Sequence, residues 1–273
     1  MGEENDLEKL EIVEYNINFS KSYGLKLAVV ADLHERPYDD VFQALLRIKP
    51  SLILLPGDTL ERRDEGYMGF TKKDIDKWQN TSFAWKSFCW ILKKLGMNKK
   101  NDYYAKSSNG ISFIKAVSRI APVVMSVGNH EWYFTDNDYK AFEECGVLLL
   151  DNSDRTIEIN DKQMLFGGLS TRYDLKWLEL FMEKKEDKIL LCHHPEYCFR
   201  FFKSHNIQLI VSGHAHGGQI RLFGHGLFAP GQGLFPKYTK GLRENHLIST
   251  GVANTAVLPR FGNPREICIV NIS

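Results

Sequence analysis

The chain has 273 residues, of which 43% are hydrophobic and 25% are charged, a composition typical of a soluble globular protein with one sizeable core. Its 35 basic and 34 acidic residues leave a net charge of +1, which excludes the strong basic field of a dedicated nucleic-acid-binding protein. No apolar run reaches the roughly 18 residues of a membrane span, and the acidic start MGEENDLEK does not resemble a signal peptide, so we expect a cytoplasmic protein. Five scattered cysteines predict reduced, mostly buried thiols.

Five short apolar runs predict buried strands that each lead into a polar, Gly-rich or His-rich loop. In chain order they are LKLAVVADLH (25–34), SLILLPGD (51–58), PVVMSVGNHE (122–131), DKILLCHH (187–194) and IQLIVSGHAH (207–216). Between them, apolar residues at helical spacing predict helices around 41–48, 113–120, 175–182 and 199–202. This alternation predicts an α/β fold in which two mixed β-sheets pack as a sandwich flanked by helices, all in one domain over 1–273.

Two pairs of runs predict hairpins in the second half of the chain. RTIEIN (155–160) and QMLFGGL (163–169) form the first pair, and HLISTGV (246–252) and EICIVNI (266–272) form the second. The polar segment 61–110 reads as an inserted helical segment. An amphipathic helix that packs on the body is the favoured interpretation, and a substrate lid or a membrane-surface patch stays open. Its apolar stripe consists of Ile75, Trp78, Trp85, Phe88, Leu92 and Leu95.

Each of the five predicted strand ends carries side chains that can bind a metal ion. They are Asp32 and His34, Asp58, Asn129 and His130, His193 and His194, and His214 and His216. Because loops at the same end of neighbouring strands converge, these side chains are expected to meet. Carboxylate, amide and imidazole ligands together suit Mn, Fe or Zn better than Ca or Mg. The ligands outnumber what one ion needs, and two ions would be held if Asp58 bridged them.

The motifs in this order resemble the calcineurin-like metallophosphoesterase superfamily. They are Asp32-Leu33-His34, Gly57-Asp58, Gly128-Asn129-His130-Glu131, His193 two residues before Pro195, and Gly213-His214-Ala215-His216. GHAHGGQIRL (213–222), APGQGLFPKYTKGL (229–242) and LPRFGNPREICIVNI (258–272) are similar to its YkuE-like branch. The resemblance covers most of 25–273 without the segment 61–110, and it implies a fold of two mixed sheets with metals at the strand ends.

The resemblance also implies two metal sites that share Asp58. One site would consist of Asp32, His34, Asp58 and His216, and the other of Asp58, Asn129, His193 and His214. His130 would be the catalytic acid or an electrostatic helper. His194 is interpreted as an imidazole beside the ligands or at the surface.

The implied activity is the hydrolysis of phosphate monoesters or diesters by a dinuclear metal centre, whose bridging hydroxide attacks phosphorus in line. Alternatives are a pyrophosphate hydrolase acting on a nucleotide-linked lipid, a nuclease and, less favoured because every motif is intact, a non-catalytic metal-binding scaffold. We therefore expect a small-molecule or lipid-linked phosphate ester as substrate. Nucleic acid is not favoured, and peripheral membrane contact stays open. Nothing in the sequence matches a P-loop, a dinucleotide-binding fingerprint or a serine-hydrolase elbow.

Overall fold

The structure, a computed structural model, describes residues 9–19, 21–62, 108–159, 161–201, 206–229, 232–254 and 260–273. Residues 63–107, which make up nearly all of the predicted insertion with its apolar stripe, lie outside this part of the chain, as does Cys89. Within the described residues, no helix has the length and hydrophobicity needed to cross a bilayer.

Two six-stranded sheets form the centre of the structure. The strands are β1 (Leu10–Ile17), β2 (Leu25–Val29), β3 (Leu52–Leu55), β4 (Val123–Ser126), β5 (Leu148–Leu150), β6 (Ser153–Ile159), β7 (Lys162–Leu169), β8 (Lys188–Cys192), β9 (Leu209–Ser212), β10 (Arg221–Leu222), β11 (His225–Gly226), β12 (Phe228–Ala229), β13 (Gly233–Leu234), β14 (Gly241–Arg243), β15 (His246–Ile248) and β16 (Arg265–Ile272). The first sheet has the order β1-β16-β2-β3-β4-β5 and the second β14-β15-β9-β8-β7-β6, while β10–β11 and β12–β13 form two small hairpins.

Both sheets are mixed, as predicted. In the first sheet β2 to β5 run parallel and β16 pairs antiparallel with β2, and in the second sheet β7, β8, β9 and β15 run parallel. The predicted hairpin of β6 and β7 is confirmed, with Ser153 opposite Gly168.

The second predicted hairpin is wrong. HLISTGV contributes β15, which pairs with β9 in the second sheet, whereas EICIVNI contributes β16, which lies between β1 and β2 in the first sheet. The connection over 249–264 therefore crosses from one sheet to the other. Apolar runs that follow each other along the chain identify strands, but the residues that contact each strand in space decide its partner.

Helices cover the outer face of each sheet. They are α1 (Asp39–Ile48), α2 (Asn109–Val117), α3 (Asp136–Glu144), α4 (Leu175–Glu183) and α5 (Pro195–Phe201). Helices α1, α2, α4 and α5 coincide with the four predicted stretches. Helix α3 was not predicted, because its sequence DNDYKAFEE is mostly polar, and a capping box between Thr135 and Asp138 begins it.

Three buried layers follow from this arrangement. Between the sheets, side chains such as Leu27 and Leu54 pack against the group of Phe166 and Leu191. Alternate residues of the same strands, such as Ile53, pack outward under α1 and α2, and a third layer lies beneath α4 and α5. Burial on both faces explains why the central strands read as continuous apolar runs. The four described cysteines are free thiols, as predicted, with three of them buried and Cys145 partly buried.

Candidate metal centre

The loops that follow β2, β3, β4, β8 and β9 converge at one edge of the sandwich. The first sheet brings Asp32, His34, Asp58, Asn129 and His130, and the second sheet brings His193, His214 and His216. The two sets meet across the sandwich, since His193 Nε2 lies 3.0 Å from Asp58 Oδ2 and 3.9 Å from Asp32 Oδ1. The structure therefore brings together residues that the sequence separates by up to 184 positions in numbering, from Asp32 to His216.

One group of potential ligands consists of Asp32, His34 and His216, whose ligand atoms all lie within 4.8 Å of one another. The Nδ1 atom of His34 is 2.8 Å from Glu61 Oε1, so this nitrogen donates to the carboxylate and Nε2 carries the lone pair. That Nε2 atom is buried without a hydrogen-bond partner, 4.0 Å from Asp32 Oδ1. A buried lone pair beside a carboxylate fits a metal ligand.

A second group consists of Asp58, His193 and His214, again with ligand atoms within 4.8 Å of one another. The carbonyl oxygen of Pro56 lies 2.9 Å from His193 Nδ1 and can only accept, so Nδ1 donates and Nε2 faces the centre. There Nε2 meets Asp58 Oδ2 at 3.0 Å and Asn129 Oδ1 at 3.1 Å. One nitrogen and two oxygens at such distances attract a positive charge between them, which either a proton or a metal cation can supply.

The pKa values of the imidazoles fall into two sets. Burial lowers the pKa of His216 to about 3, and burial together with neighbouring imidazoles holds the pKa of His214 well below its usual range. Both rings are therefore neutral and offer a lone pair, the form in which histidine binds metals. Burial would also lower the pKa of His193 and His34, but the negative charge of Asp58 raises that of His193 to about 9, and the hydrogen bond with Glu61 helps to raise that of His34. Both rings therefore favour a proton among the carboxylates, and a bound metal cation would replace that proton.

Asp58 lies between the two groups. Its Oδ2 atom is 3.0 Å from His193 Nε2 and 3.7 Å from the Nε2 atoms of both His34 and His130, while Oδ1 accepts the backbone N–H of His130 at 2.7 Å. Burial would raise the pKa of this carboxyl, yet the surrounding imidazoles, His193 foremost, lower it well below its usual range. Asp58 is thus an ionised carboxylate in the position that a bridging ligand requires.

The backbone of the potential ligands is strained. Asp32, His34, Asp58, His214 and His216 all have positive φ, between 43° and 64°. Residues with side chains rarely adopt this conformation, and when they do so together the surrounding structure holds them for a functional reason. In this centre the strained backbone directs five side chains from three loops, those after β2, β3 and β9, toward the same edge of the sandwich.

Close backbone contact between two loops also shapes the centre. A Cβ atom on Gly128 would lie 2.2 Å from Asp58 Oδ1, and one on Gly57 would lie 2.7 Å from the Cα atom of Gly128. Only glycine allows this approach. Both glycines belong to the motifs Gly57-Asp58 and Gly128-Asn129.

Glu61 is a functional residue that the sequence reasoning missed. Its carboxylate contacts the Nδ1 atoms of both His34, at 2.8 Å, and His130, at 2.7 Å. Burial would raise its pKa, but the hydrogen bonds with His130 and His34 lower it to about 2. The available signal was its place three residues after Asp58 on the same loop.

Glu131, the last residue of the motif Gly128-Asn129-His130-Glu131, binds the backbone of the loops after β3 and β4. Its buried carboxylate accepts the backbone N–H groups of Asp58, Thr59, Leu60 and Gly128 at 2.8–3.1 Å. Burial and the nearby charge of Asp58 raise its pKa to about 7. Glu131 therefore fixes the loop after β3 to the loop after β4, on which Asp58 and Asn129 lie.

A charged network flanks the centre on the side of the first sheet. Arg62 donates to both carboxylate oxygens of Asp138 at 2.7 and 2.8 Å, and to Glu35 Oε1 at 2.8 Å. Glu35 is fully buried, and its other oxygen accepts the N–H of Gly110 at 2.5 Å. The network joins the loops after β2 and β3 to the first turns of α2 and α3.

His130 and His194 occupy different places around the ligands. The His130 ring stands edge-on to His34, with the ring centroids 4.3 Å apart, and keeps 22% of its side chain exposed, so a substrate can reach it. His194 is buried, and its two ring nitrogens meet Thr171 Oγ1 at 3.0 Å and Glu196 Oε1 at 3.2 Å. His194 thus lies beside the ligands, with its ring centroid 4.2 Å from that of His214.

A family model described as calcineurin-like phosphoesterase matches residues 25–218. Among curated proteins, the chain is similar to the uncharacterized protein YpbG of Bacillus subtilis (strain 168), with 30% identity over 158 residues, which are 55% of this chain and 58% of that protein. The chain thus spans less than two thirds of the length of this relative.

Two solved structures resemble the chain at 12% sequence identity. Phosphopantetheinyl hydrolase (PptH) from Mycobacterium tuberculosis aligns over 70% of this chain and 84% of its own, with a TM-score of 0.40. The sulfate thiohydrolase SoxB from Thermus thermophilus, in complex with glycerol, aligns over 92% of this chain and 57% of its own, with a TM-score of 0.46. Likenesses at this level assign neither a substrate nor a mechanism.

The family match includes all five loops of the candidate metal centre, from Asp32 to His216, and ends just before the two small hairpins. The narrower assignment to the YkuE-like branch stays a prediction. With about seven tenths of the chain matched and the motifs assembled at one edge of two mixed sheets, the chain belongs to the calcineurin-like phosphoesterase family.

Proposed function

We propose that the chain is a dinuclear metal-dependent hydrolase of phosphate monoesters or diesters. The observation that carries the proposal is that Asp58, a member of the group Asp58–His193–His214, also lies 3.7 Å from His34 of the group Asp32–His34–His216. Asn129 completes the second group, since its Oδ1 atom lies 3.1 Å from His193 Nε2. Mixed oxygen and nitrogen ligands favour Mn, Fe or Zn as the ions.

Two ions at these groups would polarise the phosphoryl oxygens and activate a water molecule near neutral pH. The protein's own residues would contribute by positioning the His130 ring. Glu61 holds the His130 ring through Nδ1, so its Nε2 atom faces the partly exposed side of the centre. There the form of His130 that is protonated on both nitrogens, with Glu61 balancing its charge, would stabilise the charge that develops on the phosphoryl group or donate the Nε2 proton to the leaving oxygen.

The first test is metal content. Protein stripped with a chelator and reloaded with Mn, Fe or Zn is expected to bind two ions per chain, measured by elemental analysis and calorimetry. Phosphate monoesters, a bis-ester, a cyclic nucleotide and a nucleotide-linked lipid are then compared as substrates with each metal. One ion per chain at saturation would contradict the dinuclear proposal. Hydrolysis of the nucleotide-linked lipid alone would favour the alternative of a pyrophosphate hydrolase.

Two substitutions separate ligation from proton transfer. His130→Ala is expected to lower kcat about a hundredfold or more with normal metal content, because it removes a positioned acid and leaves the ligands in place. Asp58→Asn is expected to lose both metal and activity, because it removes the bridge. Asp151→Asn, which changes an exposed aspartate, serves as the matched control. Loss of metal in His130→Ala would show that His130 is itself a ligand.

A further inference from the structure

The two small hairpins that follow the metal centre carry an exposed apolar surface. Among the described residues, Phe223 and Phe235 are the most exposed large apolar side chains, at 101% and 75%. Leu222, Leu234 and Phe261 on the same unit are also exposed. These five residues are called the hairpin surface below. Large exposed apolar groups that cluster on one unit mark a site of interaction.

The backbone at the two phenylalanines is strained. Phe223 has a φ of 51° and Phe235 a φ of 52°, in the left-handed region that favours glycine or asparagine. Neither burial nor backbone preference therefore explains a phenylalanine at these two turns. A bulky apolar side chain that costs the folded chain free energy and contacts little of it points to a role outside the chain.

Hydrogen bonds hold the hairpins in place beneath this surface. Arg221 donates to the carbonyl oxygens of Gly217, at 2.7 Å, and Gly224, and to Thr239 Oγ1 at 2.8 Å. The backbone N–H of Phe235 donates to Leu227 O at 2.9 Å, which links the second hairpin to the first. Arg221 is thus a structural residue of the hairpins.

The charge around the hairpin surface is mainly positive. From Gly217 to Glu244 the sequence contains four basic residues, Arg221, Lys237, Lys240 and Arg243, and one acidic residue, Glu244. Arg221 and Lys240 are engaged within the protein, the latter 3.0 Å from Glu266. Lys237 and Arg243 are exposed, and each lies over the Tyr238 ring, at 5.4 and 5.7 Å from its centroid. Exposed aromatic side chains together with exposed cations are typical of a protein surface that contacts anionic lipid.

We propose that the hairpin surface docks the protein on an anionic lipid bilayer. Phe223 and Phe235 would insert at the boundary between headgroups and acyl chains, with Lys237 and Arg243 at the level of the phosphates. A fluid bilayer accommodates side chains that protrude singly from turns, whereas a protein partner or second copy of the chain would need a complementary face against them. The hairpins pack on the turn His216–Gly218, so docking brings the metal centre near the bilayer.

The proposal is tested with the full chain and unilamellar vesicles in a sedimentation assay. We expect binding to vesicles of phosphatidylcholine with phosphatidylglycerol, weaker binding to phosphatidylcholine alone, and a loss of binding as salt is raised. The double variant Phe223→Ser/Phe235→Ser is expected to bind at least about tenfold more weakly, since it removes two inserted aromatic rings. The matched control is Leu180→Ser, an exposed apolar residue on α4, which should bind normally.

Melting temperature and hydrolysis of a small soluble ester are measured on each variant. Both should stay at the wild-type level in the double variant, since its side chains lie outside the metal centre and the core. Absence of vesicle binding, or an equal loss in Leu180→Ser, would overturn the proposal. Light scattering that shows a dimer in the wild type and a monomer in the double variant would also overturn it, in favour of a second copy of the chain on this surface.

Discussion

The carboxylate of Glu61 serves two imidazoles that have different expected roles. Through His34 it fixes which nitrogen faces the Asp32 group, and through His130 it fixes the orientation of the expected acid. A carboxylate that holds a metal-binding histidine tunes the affinity of the site as much as its geometry. Glu61 therefore couples ligation on one side of the centre to proton transfer on the other.

Glu61→Gln is expected to weaken metal binding and to lower kcat by about 10–100-fold, because the neutral amide no longer stabilises either ring in the required orientation. Isothermal calorimetry of the stripped protein measures the affinity, and kinetics at saturating metal measure kcat. The exposed Glu158→Gln on β6 is the control. Wild-type affinity and rate in Glu61→Gln would contradict the coupling.

The predicted ligands could be recognised in the sequence because each follows an apolar run that ends abruptly in a polar loop. The roles of the supporting glutamates could not be recognised in this way. Glu61, Glu131 and Glu35 lie in loops without periodicity, where the sequence does not distinguish a buried glutamate from a solvent-exposed one. Their roles depend on burial and on backbone N–H groups that only the folded loops bring within reach.

At the scale of elements, the start of α3 is tied to the metal-bearing loops. Asp138 completes the capping box with Thr135 and also binds Arg62, which follows Glu61 directly. Burial would raise the pKa of Asp138, but hydrogen bonds from Arg62 and Thr135 lower it overall. One side chain thus ends a loop, begins a helix and neutralises a half-buried guanidinium.

Asp138→Asn is expected to lower the free energy of unfolding at neutral pH by about 1.5–3 kcal/mol, the usual range for hydrogen bonds to a charged group. Because the folded pKa lies below the unfolded value of about 3.9, this stabilisation exists above that pH and is lost as the pH falls through the folded pKa. Melting curves of both proteins should therefore converge in acid. Asp136→Asn, an exposed residue of the same helical turn, is the control, and a constant difference at all pH values would contradict the assignment.

The positions of most central strands could be predicted from the sequence, but the pairing of some strands could not. Their positions follow from apolar runs, and even the short turn at Asp161-Lys162 predicted the pairing of β6 with β7. The partners of β15 and β16 could not be obtained in this way, because both are apolar and a long connection separates them. Strand β1 was not predicted, since LEIVEYNI is only half buried at the edge of its sheet.

At the scale of the whole molecule, the metal centre is built by both sheets. Asp32, His34 and Asp58 belong to loops of the first sheet, while His193, His214 and His216 belong to loops of the second. Each ligand group includes residues from both sheets. An ion bound there would connect the two sheets at the edge where their loops meet.

Metal binding is therefore expected to stabilise the entire fold. Reloading the stripped protein should raise the free energy of unfolding with the logarithm of the free metal concentration above Kd, by about 2.7 kcal/mol at a hundredfold excess over Kd, and Tm should rise with it. Differential scanning calorimetry at several metal concentrations measures the effect. Asp58→Asn should abolish this dependence, and a wild-type Tm that is independent of metal would contradict a ligand set spanning both sheets.

The buried carboxylate of Glu35 has a consequence for how the chain can be rebuilt. It binds Arg62 with one oxygen and the N–H of Gly110 with the other, and its own carbonyl accepts from Asn109 at 3.0 Å. The two junctions of the stretch 63–107 are thereby fixed side by side by a single residue. Because Glu35 holds both ends of this stretch, we expect that segments of different length and composition can replace it while the loops that carry the ligands keep their conformation.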